Sequence, residues 1–115
     1  MSPTFYQLLT PDAPYRIALC PDSPIYRAHF PGRPITPGAC LVQLVEDLAQ
    51  HHFTDSTLRV SQIVDAKFLA LLEPQHHPEV EVRLSGTPSR LNATIASGAQ
   101  VFARLTVELS SVNSP

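Results

Sequence analysis

The chain has 115 residues, of which 43% are hydrophobic and 16% charged, and its formal net charge is -2. That is enough for one globular domain, residues 1–115, and it excludes disordered and fibrous classes. With no Lys/Arg cluster the chain lacks the footprint of a nucleic-acid binder, and no apolar run reaches membrane-spanning length.

The N-terminal stretch "MSPTFYQLLTPDAPYR" has no basic start followed by an apolar block, so it is not a secretory signal and a cytoplasmic location is expected. Residues 1–14 read as a loose leader with at most one short helical turn. Cys20 and Cys40 are too few for a disulfide-stapled scaffold, and two reduced thiols are expected. The twelve prolines concentrate before position 40, which predicts an irregular first third. "YRIALC" (15–20) suits a first strand, Pro21-Asp22-Ser23-Pro24 is turn chemistry, and "IYRAHF" (25–30) reads as a short extended piece.

A helix follows. Leu41, Leu44, Val45 and Leu48 recur at helical spacing, while Gln43, Glu46, Asp47 and Gln50 form the opposite stripe. Thr36 is placed as its N-cap, Pro37 at the first helical position and Gly38 at the second. After His52 the period changes to two. "LRVSQIVDAKFLALL" (58–72) is a long strand, and three more carry Val80, Val82 and Leu84, then Leu91, Ala93 and Ile95, then Val101, Ala103, Leu105, Val107 and Leu109. The joints between them are turn-like and predict an antiparallel meander. The pairs His51-His52 and His76-His77 do not share one face of an element, so they read as surface residues and no metal site is expected. The class is α+β: one long helix laid on an antiparallel sheet. One helix covers little of a sheet face, so a second copy is a natural way to complete it.

The segment "HFPGRPITPG" (29–38) holds the chemistry. A Gly38 amide at a helix start is an orphan donor with dipolar positive potential behind it, suited to an oxygen that gains charge during reaction. His29 stands nine residues earlier on a proline-stiffened path, as a base beside an oxyanion hole would. A structural or surface histidine next to an ordinary Pro-Gly joint fits the same spacing.

This segment resembles the signature of the β-hydroxyacyl-acyl-carrier-protein dehydratases of the FabZ and FabA type. His29, Phe30, Pro31, Gly32, Pro34, Pro37 and Gly38 match the family pattern, and "LAQ" (48–50) and "DAKF" (65–68) echo it further on. The resemblance implies the hotdog fold, a long central helix wrapped by an antiparallel sheet, in a dimer with active sites at the interface. It implies His29 as the catalytic histidine and Gly38 as the amide that polarises the thioester carbonyl. Phe30, Gly32, Arg33 and Pro37 then fall in the segment that meets substrate and carrier. It implies an acyl carrier protein as partner, with Arg33, Arg27, Lys67 and Arg90 as candidate docking cations, and no cofactor.

One position departs. The family's acidic residue lies fourteen positions after the histidine, and here that residue is Gln43. An amide can hydrogen-bond a substrate hydroxyl but cannot protonate it. Gln43 is either an ordinary member of the polar stripe or a substrate contact. The departure and the compact length make the chain similar to the ApeI-like branch of bacterial aryl-polyene and related lipid gene clusters. Dehydration of a 3-hydroxyacyl thioester is the activity implied. A non-catalytic subunit that binds acyl chains or completes a heterodimer is the alternative to a homodimeric enzyme, and a thioesterase using Glu46 or Asp47 is the more distant one.

Overall fold

The computed structural model describes residues 5–29 and 34–111, with backbone alone for residues 27–29. Its elements, in chain order, are β1 (Tyr6–Leu8), β2 (Tyr15–Leu19), α1 (Pro24–His29), α2 (Gly38–His52), β3 (Leu58–Phe68), β4 (Glu79–Thr87), β5 (Arg90–Ser97) and β6 (Gln100–Ser111). The strands form one sheet in the order β1-β2-β4-β5-β6-β3, and every neighbouring pair is antiparallel. The α+β class is therefore as expected.

Helix α2 buries the stripe its spacing announced: Leu41, Leu44, Val45, Leu48 and Ala49 are all inaccessible. They meet Ile17, Val82, Leu91, Ala93, Ile95, Leu105 and Val107, the inward residues of β2, β4, β5 and β6, in one core. Each leucine, isoleucine or valine among them contributes about 1.5–3 kcal/mol by leaving water, so this seam dominates the stability of the helix.

Several expectations are corrected. The leader is not helical where it is described: Tyr6–Leu8 pairs with Ile17–Leu19 as an edge strand, because Phe5 and Tyr6 have apolar surface to bury. The piece read as extended over 25–30 is instead helical through His29, in the short helix α1, and Phe30 lies outside the described residues. Ser23 accepts the Ile25 N–H on its hydroxyl at 3.4 Å and Pro24 opens the first turn, an N-cap and first-position pair that favours a helix over a turn.

The meander holds only for β4, β5 and β6. Strand β3 pairs with β6, not with β4. The 69–78 connection is too long for a hairpin, and it buries Leu72 while its Leu69 and Ala70 N–H groups bond the Phe102 carbonyl. β3 accordingly stops at Phe68. The pairing of β5 and β6 slips at Ile95/Ala96, where Phe102 is the extra residue. That bulge buries Phe102 beside Ala103 and turns Val101 away from the Ala103–Leu109 face on which alternation placed it.

Two of the histidines are not plain surface residues. Half-buried His52 meets the Tyr15 hydroxyl through Nδ1 at 2.8 Å, and the His77 ring packs edge-on against Phe102. No helix among the described residues is long and apolar enough to cross a membrane.

Candidate active site

The start of α2 is the natural centre. Pro37 is its N-cap, with φ -64° and ψ 149°, and Gly38 is the first helical residue, one position earlier than the sequence reading put them. Proline offers no capping side chain. The Cys40 and Leu41 N–H groups bond the Pro37 carbonyl, while the Gly38 N–H has no partner among the described residues. It is one of the donors that a helix start leaves open.

Thr36 does not cap. Its side chain is buried, its hydroxyl lies 2.9 Å from the Tyr26 hydroxyl, and its own N–H bonds the Leu72 carbonyl at 2.8 Å. Tyr26 is buried in α1, three residues before His29, so this hydrogen bond clasps α1 to the residue two before Gly38. The His29 backbone closes α1; its ring, and all of Phe30, Gly32 and Arg33, lie outside the described residues, as does the Arg27 side chain.

Gly38 is bare for a reason that the linear reading missed. A Cβ at that position would sit 3.0 Å from Cζ of Phe68 and 3.1 Å from its Cε1. The Phe68 ring, at the end of β3 and 53% exposed, therefore rests on the helix start as a wall. Nearby Cys40 is free, and burial pushes its thiol up, which keeps it protonated near neutrality.

Gln43 is exposed on α2, and its amide is engaged. Nε2 donates to Asp47 Oδ1 at 2.8 Å and to Glu46 Oε1 at 3.2 Å. Asp47 Oδ2 accepts from the Tyr6 hydroxyl at 2.6 Å, and Glu46 Oε2 accepts the Val60 N–H at 2.8 Å. The i, i+3, i+4 spacing of the trio was legible on the helix stripe. The attachments to β1 and β3 were not, since they depend on tertiary placement.

On the outer face of the sheet, the register sets Lys67 opposite Arg104, Arg104 opposite Thr94 and Thr94 opposite Arg83. Arg83 is paired with Glu81, whereas Lys67 and Arg104 have no ion-pair partner among the described residues. Like charges set opposite each other on a sheet repel, so this row suits an anionic partner. Arg90 stands apart from it, at the β4–β5 turn. Cavities of about 290 and 240 Å³ on the same outer face are lined by Glu81, Arg83, Ala96 and Gly98, among others. Among the described residues, no group of three His, Cys, Asp or Glu side chains converges as a metal would require.

Residues 8–105 match the family model called ApeI-like, described as ApeI dehydratase. A chain of the dehydratase heterocomplex ApeI:P from Xenorhabdus doucetiae superposes with a TM-score of 0.70 at 21% identity, covering 95% of this chain and 98% of that one. An uncharacterised protein from Erwinia carotovora subsp. atroseptica has the same fold, with a TM-score of 0.60 at 17% identity and 98% of each chain covered. No curated protein matches the chain in sequence.

Proposed function

We propose that this chain, which belongs to the ApeI-like dehydratase family, dehydrates 3-hydroxyacyl thioesters carried on acyl carrier protein, giving the trans-2-enoyl product. The sheet and helix then make a hotdog fold, two copies of which form the working dimer. The neutral His29 imidazole removes the proton at C2. The Gly38 N–H holds the thioester oxygen as it gains charge, a contribution of ~10²–10³ in rate for one such donor. Gln43 of the partner subunit orients the 3-hydroxyl. Proton transfers are all that this chemistry requires, so no cofactor enters.

The observation that carries the reading is the Tyr26–Thr36 clasp, which ties the helix that ends in His29 to the open donor of Gly38. The row of Lys67 and Arg104 supports docking of an acidic carrier on the outer face. Each oxygen of Glu46 and Asp47 already accepts a hydrogen bond that ties it to Gln43, Tyr6 or Val60, which favours a structural role over the activation of water that a thioesterase would need.

A second reading is favoured by Gln43, which stands where the family carries an acid, and by the likeness to a member of a heterocomplex. In it this chain completes a heterodimer whose other subunit supplies the acid. One experiment separates the two. Purified chain is assayed with 3-hydroxyacyl carrier substrate, alone and as His29→Ala, Gln43→Ala and Gln43→Glu variants.

The homodimeric enzyme predicts turnover that His29→Ala cuts by about 10³-fold or more, with a KM that rises with salt as the carrier contact is screened. An inactive homodimer that Gln43→Glu awakens establishes the second reading instead. Turnover indifferent to His29 sinks both.

A further inference from the structure

The amide of Gln43 can face its neighbours in only one way. Its nitrogen has two hydrogens, and the two atoms beside it, Asp47 Oδ1 and Glu46 Oε1, are carboxylate oxygens that accept and do not donate. Turning the amide over would set its oxygen against both. The carboxylates are fixed in turn from two other elements: the Tyr6 hydroxyl in β1 holds Asp47 Oδ2, and the Val60 N–H in β3 holds Glu46 Oε2. Burial, then the hydrogen bond and charge of Asp47, push the Tyr6 phenol up, so it stays a donor.

We propose that Gln43 is an acceptor-only contact for the 3-hydroxyl, and that Glu46 and Asp47 are the positioning residues that impose this polarity. With both amide hydrogens spent, Gln43 Oε1 is the one group it has left to offer. This rests on the dehydratase reading, in which Gln43 reaches the substrate across the dimer, and adds two consequences to it.

The first concerns the proton. The hydroxyl donates its hydrogen to Gln43 Oε1, which leaves the lone pairs of its oxygen free. His29 takes the C2 proton, the C2–H electron pair becomes the C2=C3 double bond, and the C3–O bond breaks. The proton that completes the departing water returns from the imidazolium. Gln43 supplies none and orients the oxygen that receives it.

The second concerns specificity. A 3-oxo thioester has no hydrogen at that position, so its carbonyl oxygen would face another acceptor. The site therefore favours the 3-hydroxy over the 3-oxo oxidation state.

Glu46→Gln is the sharp test because it is nearly isosteric. The Val60 N–H still needs an acceptor, so residue 46 keeps its oxygen there and turns an NH₂ group toward Gln43. One acceptor for the Gln43 amide becomes a donor, so Asp47 Oδ1 alone still holds its polarity and the turned orientation becomes accessible.

In the ¹⁵N-labelled dimer, where the partner subunit covers this face of α2, the wild-type Gln43 side-chain amide should exchange more slowly with solvent than a free glutamine amide. It should shift and lose that protection in Glu46→Gln and in Asp47→Ala, while the Val60 backbone signal stays in place in Glu46→Gln. Titration with 3-hydroxybutanoyl- and 3-oxobutanoyl-pantetheine should show about tenfold preference for the hydroxy form in the wild type. Glu46→Gln should narrow it by weakening the hydroxy form and strengthening the oxo form. In turnover the same variant should lower kcat more than it raises KM.

A Gln43 amide that exchanges freely in the wild type overturns the proposal, as do two thioesters that respond in parallel. Because exchange and binding are read without turnover, an inactive chain would count against the dehydratase reading and leave this test standing.

Discussion

At position 38 the missing methyl group leaves room for the Phe68 ring, and in the proposed reaction it also leaves the N–H open to substrate. An alanine there would bring its Cβ to 3.0 Å from the tip of the Phe68 ring, which is closer than such contacts normally lie. The obstacle is the far end of a half-exposed side chain, so the ring can swing aside at little cost. Alanine also suits a helix better than glycine does, and the two effects offset. We expect Gly38→Ala to change stability by less than about 1 kcal/mol while turnover falls by about tenfold or more, because the methyl and the displaced ring crowd the open N–H. Urea denaturation and steady-state kinetics on the same preparation check this. Equal loss of stability and activity would make the glycine a packing residue only. Their spacing and shared motif single out His29 and Gly38, and of the two only Gly38 has its surroundings described, at the open start of α2. Phe68 was not legible in the sequence, since nothing in a strand thirty residues downstream announces which glycine it will cover.

At the scale of elements, the reach of the sequence follows the length of each pattern. Helix α2 repeats its apolar spacing over four turns and was legible down to the buried residues, and the two hairpins of β4–β5–β6 had turn residues at both joints. Short elements carry too few repeats. Six residues of α1 cannot display a period, and its Ser-Pro start reads equally as a turn. Three residues of β1 acquire their identity only from β2 beside them. The partner of β3 was hidden because a connection that buries Leu72 can cross to β6, and alternation says nothing about destination. The joint between α1 and α2 is therefore set by tertiary contact, and the Tyr26–Thr36 bond is its testable part. Tyr26→Phe leaves the Thr36 hydroxyl buried without its partner, and Thr36→Val does the same to Tyr26. Each should cost about 1–3 kcal/mol, and the double variant little more than the worse single, because removing both leaves nothing unsatisfied. Both singles should lower kcat more than they raise KM. Strictly additive losses in denaturation would mean that the two hydroxyls do not support each other.

For the chain taken together, the open edge of the sheet bears on the proposed assembly. Strand β3 borders the sheet with no strand on its outer side among the described residues, and Ile63, Val64, Phe68, Leu69 and Leu71 are exposed along it and just past its end, Leu71 at 59%. A long apolar edge of this kind invites pairing with another chain. It runs beside the same side of α2 that presents Gln43, since Glu46 bonds Val60 and Phe68 covers Gly38. A second chain seated on β3 would thus bring its own site residues near Gln43, whether it is a copy or a related subunit. Ile63 and Val64 lie outside the buried core, so Ile63→Lys and Val64→Lys should lower the chain's own stability by no more than about 1 kcal/mol. Association should fail, and sedimentation velocity should show the mass of one chain where the wild type shows two. Turnover should disappear with it although His29, Gly38 and Gln43 are untouched, and mixing with a His29→Ala chain that still associates should not recover it. A variant that keeps both its mass and its activity would place the interface elsewhere and remove Gln43 from the reaction.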